Sequence, residues 1–421
     1  MQIMTPFDSE HLEAIVIGGG QAGLSASRLL DQGGIQHVVL EKHRIAHAWR
    51  SQRWDNFCLV TPNWQCQLPG FSYDGDDPKG FMLKDEIVDY IERFAESFDA
   101  NVQEGVAVRR LAPLPNGGFE VLTNHGRLTA DHVVVAIGGY HDEIVPPTAN
   151  TLPPHIHQLH SVNYRNAESL PDGGVLVVGS GQSGTQIAED LHLGGREVHL
   201  CVGNAPRVNR RYRGKDVVEW LDEMGYYDLP FDEHPQGDRV RAKTNHYVTG
   251  RDGGRDIDLR MRALEGMKLY GKLESVSGTF ISLAPDLSDN LDQADATAQR
   301  IRDTIDEHIG KHQIDAPVEA PYTPPWAPED EVVELDLDAA GISTVIWSIG
   351  FKPNFRWINA DLLDERGYPR HHRGVTDIKG LYFLGLPWQH TWGSGRFSGV
   401  ARDAEYLVEH IAAKKPAVAS T

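Results

Sequence analysis

The stretch AIVIGGGQAGLSASRLL at residues 14–30 decides the fold. Residues 14–17 are an unbroken apolar run, which suits a parallel strand covered on both faces. Gly18, Gly20 and Gly23 follow at once as G-x-G-x-x-G, and Leu24, Ala26, Leu29 and Leu30 then continue at helical spacing. The order has a physical reason. The first glycine permits a tight turn, the second lets backbone approach a pyrophosphate, and the third lets helix pack on strand, while the helix N-terminus favours negative charge. The next apolar run, HVVLEK at 37–42, ends near Glu41. That acid stands roughly 20 residues past the first glycine, where a carboxylate accepts hydrogen bonds from a ribose. A lone glycine pattern also fits a turn with no ligand; strand, helix and terminal acid together argue for a nucleotide.

The same grammar returns in GVLVVGSGQSGTQIAEDL at 174–191, with Gly179, Gly181 and Gly184 between a Val-rich strand and a second helix. Two nucleotides are therefore expected. The strand after the second motif, REVHLCVG at 196–203, ends at Val202 and Gly203 without an acid, and Arg207, Arg210, Arg211 and Arg213 come next. An acid there selects a 2′-hydroxyl; guanidiniums favour a 2′-phosphate, which they grip in a fork. NADPH is the expectation, with RRYRG as a solvated surface turn the competing reading and the arginine in contact left open. Two nucleotide sites in one chain point to hydride transfer between cofactors, the first being FAD. The FAD assignment rests on motif order and on GLYFLGLPWQHTWGSGRFSGVARDAEYLVEHI at 380–411, a strand, a glycine-bearing loop and a helix beginning near Ser398 and Gly399. A helix N-terminus there would stabilise negative charge on a reduced flavin.

The fold class is α/β, with two Rossmann-like dinucleotide-binding domains, an FAD domain carrying an inserted NADPH domain. The expected spans are 1–165 with 331–421, and 166–330. The second contains a helix over 286–313, read as core or partner-facing, and ends in the Pro-rich return APVEAPYTPPWAPEDE at 316–331. The apolar runs VVVAIGGY (133–140) and VIWSIG (345–350) are read as the crossings between domains. The glycine- and arginine-rich VTGRDGGRDIDLR at 248–260 suits a mobile flap, with an ordinary surface loop as the default.

The 421 residues carry 60 acids against 40 Lys and Arg, a formal charge of −20 that repels nucleic acid and anionic lipid. No nucleic-acid or membrane partner is expected, and no apolar run approaches the roughly 20 residues of a bilayer span. Cys58, Cys66 and Cys201 form no C-x-x-C pair, which disfavours a disulfide framework, a zinc site and a redox-active dithiol. The acidic N-terminus lacks the positive charge of a secretory leader, so a reducing cytoplasm is expected. The 20 histidines show no metal-ligand spacing, and no metal is expected.

The paired glycine motifs, AHAWR at 46–50, VAIGGY at 135–140 and WSIGF at 347–351 resemble the class B flavin-dependent monooxygenases, over nearly the whole chain. The segment 44–71, with Trp49, Pro62, Cys66, Leu68 and Pro69, and the helix KDEIVDYIERFAESF at 84–98 are similar to the plant indole-pyruvate branch and, closer still, to bacterial flavin oxidoreductases encoded with nitrilase-type gene clusters. The family fingerprint F-x-G-x-x-x-H-x-x-x-[FW] falls on PHIHQLHSVNY at 154–164, where Pro154 and Ile156 replace the Phe and Gly while His160 and the aromatic Tyr164 stand in place. No arginine of the Baeyer–Villiger type is matched.

The resemblance implies an FAD- and NADPH-dependent monooxygenase that takes O2 and a small organic substrate and works through a C4a-(hydro)peroxyflavin. An NADPH-dependent flavin oxidase or reductase is the alternative, and a homodimer is admitted. The implied FAD contacts are Gly18, Gly20, Gln21, Ala22, Gly23, Glu41, Lys42, Trp49, Arg50, Val108, Ala136, Gly138, Gly385, Ser398 and Gly399. Those implied for NADPH are Gly179, Gly181, Gln182, Ser183, Gly184, Arg207, Arg210 and Arg211. Asn63, beside the position of the family's flavin-proximal asparagine, is the candidate for contact with the oxygenated flavin, and His390 and Trp392 are candidates for the substrate side.

Overall fold

The computed structural model describes residues 7–242 and 245–413. The first six residues, part of the reading on secretion, lie outside that range. In the first half of the chain, strands β1 (Phe7–Ile17) and β2 (His37–Glu41) flank helix α1 (Gln21–Gln32), and α2 (Lys84–Glu96) precedes β3 (Val102–Glu104). Strands β4 (Val108–Pro113), β5 (Phe119–Thr123) and β6 (Gly126–Val135) form a meander whose last strand runs parallel to β1. The sheet order is β3-β2-β1-β6-β5-β4. The parallel part is buried: Ile15, Val16, Val39 and Val133 are shut off from solvent, as continuous apolar runs require.

The second sheet is all parallel and has five strands. In chain order these are β7 (His157–His160), β8 (Gly174–Val178), β9 (Val198–Cys201), β10 (Lys268–Tyr270) and β11 (Ile342–Trp347), arranged β7-β11-β8-β9-β10. Helix α3 (Gln182–Leu193) follows β8 as α1 follows β1. The sheet thus recruits β7 and β11 from outside the span 166–330, because β11 supplies the backbone against which the second glycine turn packs. The run 345–350 is a central strand of this sheet before it is a crossing. Helix α4 (Leu287–His312) buries Leu287, Leu291, Ala294, Ala298 and Ile305, which makes it core.

The chain then returns to the first sheet. Strand β12 (Leu381–Phe383) pairs with β6 in parallel, and the closing helix α5 (Val400–Ala412) lies against α1. Among the described residues no helix is long and apolar enough to cross a membrane, and no cluster of three His, Cys, Asp or Glu side chains is arranged to hold a metal.

Candidate functional site: two dinucleotide cradles

Both glycine turns are built the same way. Gly18 has φ +114, and a Cβ there would sit 2.5 Å from the carbonyl oxygen of Ala136; a Cβ on Gly23 would sit 1.8 Å from the carbonyl oxygen of Gly18. In the second sheet Gly179 has φ +106, with 2.5 Å to the Ser348 carbonyl oxygen, and Gly184 has 1.9 Å to that of Gly179. At all four positions a side chain would collide with rigid backbone. Gly20, by contrast, faces open space where a phosphate can approach, and it precedes the first turn of α1. Gly181 holds the equivalent cap position of α3.

Strand register fixes what faces each turn. Ile17 pairs with Leu40, so Gly18 stands beside Glu41; Val178 pairs with Cys201, so Gly179 stands beside Val202. Glu41 Oε2 accepts from the Gly19 amide at 2.7 Å and Oε1 from the His43 amide at 2.7 Å, which fixes the carboxylate at the cradle and leaves lone pairs for a ribose diol. In the second cradle the bridge runs the other way: Ser180 Oγ accepts from the Gly203 amide at 2.9 Å.

The first cradle is extended by the segment after β2 and by the C-terminal loop. Gln21 Nε2 donates to the Gly395 carbonyl at 3.0 Å, and Trp49 Nε1 donates to Gln21 Oε1 at 3.1 Å. Trp49 stacks on Phe397 at 5.7 Å between ring centroids. Gly385 approaches Ala22 so closely that its Cβ would fall 2.7 Å from that methyl. Gly399 caps α5, and the adjacent Ser398 Oγ is buried without a hydrogen-bond partner among the described residues. Gly138 lies just beyond β6 with nothing near it, Arg50 pairs with Glu92 and keeps a buried, unpartnered Nε, Lys42 is exposed, and Val108 opens β4. A dinucleotide with a second ring system fits here: the glycines exclude Cβ atoms, Glu41 is aimed at a diol, and orphaned donors remain at Arg50 and Ser398.

In the second cradle Gln182 Nε2 donates to the Val248 carbonyl at 2.6 Å and Ser183 is exposed on the first turn of α3. The arginines after this cradle differ in their surroundings. Arg207 is buried against Asp295, with 2.6 Å from Nε to Oδ1, and Arg210 is fully buried against Asp216, also at 2.6 Å. Both charges are answered by a carboxylate, and each guanidinium keeps a buried NH2 without a hydrogen-bond partner among the described residues. Arg211 stays exposed and donates to the Gly253 carbonyl at 2.8 Å. A cation beside this cradle is Lys272, just past β10, whose Cε lies 4.0 Å from the Cβ position of Gly203 and whose Nζ pairs with Asp286 at 3.1 Å.

Asn63 is held by both ends of its amide. Its Nδ2 donates to the Asp77 carbonyl at 2.9 Å and its Oδ1 accepts from the Met82 amide at 2.7 Å, so both ends of the buried amide pin the 77–82 loop. Trp392 packs on Tyr227 at 4.7 Å and under the Arg396 guanidinium at 4.0 Å. His390, whose pKa is lowered by burial, passes its backbone carbonyl to the Phe231 amide. The loop 248–260 is tied down: Arg251 meets Asp190 at 2.8 Å, Arg255 meets Glu189 at 2.5 Å, and Arg260 meets Asp295 at 2.8 Å.

A duplicated nucleotide cradle joined by one chain that leaves and returns defines a two-nucleotide oxidoreductase. The chain belongs to the pyridine nucleotide-disulphide oxidoreductase family, which it matches over residues 15–248. It is 33% identical over 404 residues to the uncharacterized oxidoreductase CzcO-like of Geobacillus kaustophilus, covering 95% of this chain and 98% of that one. It is 27% identical over 217 residues to the probable indole-3-pyruvate monooxygenase YUCCA3 of Arabidopsis thaliana, about half of each chain (49% and 49%). Among solved structures it resembles the flavin-containing monooxygenase from Stenotrophomonas maltophilia, with a TM-score of 0.64, 19% identity, and 96% and 99% of the two chains covered. The protein is an enzyme of the oxidoreductase class, and its likeness to the class B flavin monooxygenases is borne out.

Proposed function

We propose that the protein is a flavin-dependent monooxygenase that binds FAD in the first cradle and NADPH in the second and inserts one oxygen atom of O2 into a small organic molecule. The observation that carries this reading is the asymmetry of two otherwise equal cradles: Glu41 faces the first glycine turn and Val202 the second. A carboxylate suits an unphosphorylated ribose, and its absence suits a 2′-phosphate. Lys272, paired with Asp286 beside Gly203, and the exposed Arg211 are the cations assigned to that phosphate.

When bound, a flavin supplies hydride acceptance and the activation of O2. The chain's own residues position and shield. Gln21 and Trp49 tie the start of α1 to the 395–397 loop, and the α5 N-terminus presents positive potential to the region between them. The stacked Trp49 and Phe397 supply apolar surface that excludes water.

The rival reading, electron transfer to O2 or another acceptor, is separated by product analysis. Under 18O2 the purified holoenzyme should consume NADPH in preference to NADH and yield a product heavier by one labelled atom; peroxide as the sole oxygen product would overturn the proposal. A dithiol mechanism is disfavoured by the thiols. Cys58, Cys66 and Cys201 are buried, and burial pushes Cys66 and Cys201 up to about 12, leaving them without nucleophilic thiolate.

A further inference from the structure

Asp190 is buried near the end of α3, the helix whose first turn abuts the second cradle. Three side chains donate to its carboxylate. Oδ1 accepts from Asn56 Nδ2 at 3.0 Å and from Arg251 NH1 at 2.8 Å, and Oδ2 accepts from the Tyr164 hydroxyl at 2.8 Å. A carboxylate shut off from water is costly unless its lone pairs are answered, so Asp190 and its three donors hold one another in place.

All three arms end on one short segment between β2 and α2, residues 54–59. Asn56 belongs to it. Tyr164, in the stretch between β7 and β8, packs its ring against Trp54 at 6.5 Å between centroids. Arg251 follows Gly250, where a Cβ would fall 2.0 Å from the Leu59 carbonyl oxygen. The start of the segment is tied as well: the Asp55 amide donates to the Arg165 carbonyl at 2.8 Å, Asp55 Oδ2 accepts from Asn166 Nδ2 at 2.6 Å, and Arg165 donates to the Ser51 carbonyl. From there the rings of Trp54, Phe57 and Trp49 stand in series with centroids 5.0 and 6.0 Å apart, and Trp49 donates to Gln21 at the head of α1. A continuous path of bonded and packed side chains thus joins the helix of one cradle to the helix of the other.

We propose that Asp190 is a positioning residue: it clasps segment 54–59 and so sets how the nicotinamide in the second cradle faces the flavin in the first. Hydride transfer needs its two carbons aligned, and a misplacement of about 1 Å can cost on the order of a hundredfold in rate. The role in transfer rests on the FAD and NADPH assignment above; the clasp itself does not.

Anaerobic rapid mixing of the purified holoenzyme with NADPH reads the limiting rate of flavin reduction and the Kd separately. Asp190→Ala is expected to lower that rate about tenfold and Asn56→Ala, at an exposed position, about threefold, with the Kd within about twofold and flavin content unchanged. Asp190→Asn keeps an acceptor for Asn56 and Arg251 and can turn its amide to the Tyr164 hydroxyl, so it should recover most of the rate. Tyr270→Phe deletes a buried hydroxyl bonded to His199 inside the second sheet and should lower the urea midpoint while leaving the rate alone. A second measurement needs no turnover: spin labels at Asp31→Cys on α1 and Glu307→Cys on α4, both exposed, report the distance between the two halves, the native thiols being buried. Asp190→Ala and Asn56→Ala should broaden or shift that distance distribution. Parent-like distributions in both variants would overturn the clasp, and parent-like reduction rates its positioning role. A loss confined to the Kd would also overturn that role and assign Asp190 to nucleotide binding. If Asp190→Ala does not fold, Asn56→Ala decides both points. A parent enzyme whose flavin NADPH does not reduce would overturn the cofactor assignment and leave the clasp to the spin labels.

Discussion

Val202 stands in the second sheet at the register position that Glu41 holds in the first, each beside the leading glycine of its turn. One substitution between two equal scaffolds is enough to give them different ligands. Replacing Glu41 by Gln should weaken FAD about tenfold to a hundredfold, the worth of a charge-assisted hydrogen-bond pair, while NADPH affinity stays put. Fluorescence titration of the apoprotein with FAD measures this directly.

Lys272 lies beside Gly203 at the second cradle in a pair with Asp286, and Arg207 and Arg210 pair with Asp295 and Asp216. Lys272→Gln is expected to raise the KM for NADPH about tenfold and leave that for NADH unchanged, since only the 2′-phosphate loses a partner. An equal rise for both nucleotides would place Lys272 in general packing instead.

Asn63 holds the 77–82 loop through both ends of its amide. Asn63→Ala should cost roughly 1–3 kcal/mol of stability, the price of leaving the Asp77 carbonyl and Met82 amide unanswered, with kcat within about twofold of the parent. Denaturant melts beside steady-state rates separate this from a catalytic role, which would drop kcat without moving the midpoint.

His199 predicts the acid limb of stability. Its ring is buried, stacked on Tyr270 with Nδ1 2.8 Å from the hydroxyl, and burial pushes its pKa down to about 4. The unfolded chain binds this proton near pH 6.5 and the folded chain only near 4. Stability is therefore full above 6.5 and falls as pH drops through that window, by up to about 3 kcal/mol. His199→Gln should flatten that slope in urea melts taken from pH 7 to 4.

Much of this was legible in the sequence because it depends on local rules. Gly23 and Gly184 are required by backbone contacts within each turn, and Glu41 by the reach of one helix and one strand. Helix α4 shows itself by the spacing of its buried face. What was not legible depends on partners brought from afar. Nothing near Arg207 announces that Asp295, 88 residues on, will neutralise it, and the pairing of β11 with β8 joins residues far apart in the chain.

That pairing has a consequence for how the molecule is inherited and dissected. Gly179 leans on Ser348, and Ser348 follows a strand contributed from the far side of the Pro-rich return. A fragment cut at 166 and 330 would carry the second phosphate loop without the wall behind it. The two halves are thus less like beads on a string than like a dovetail joint, in which neither piece keeps its shape once the other is withdrawn.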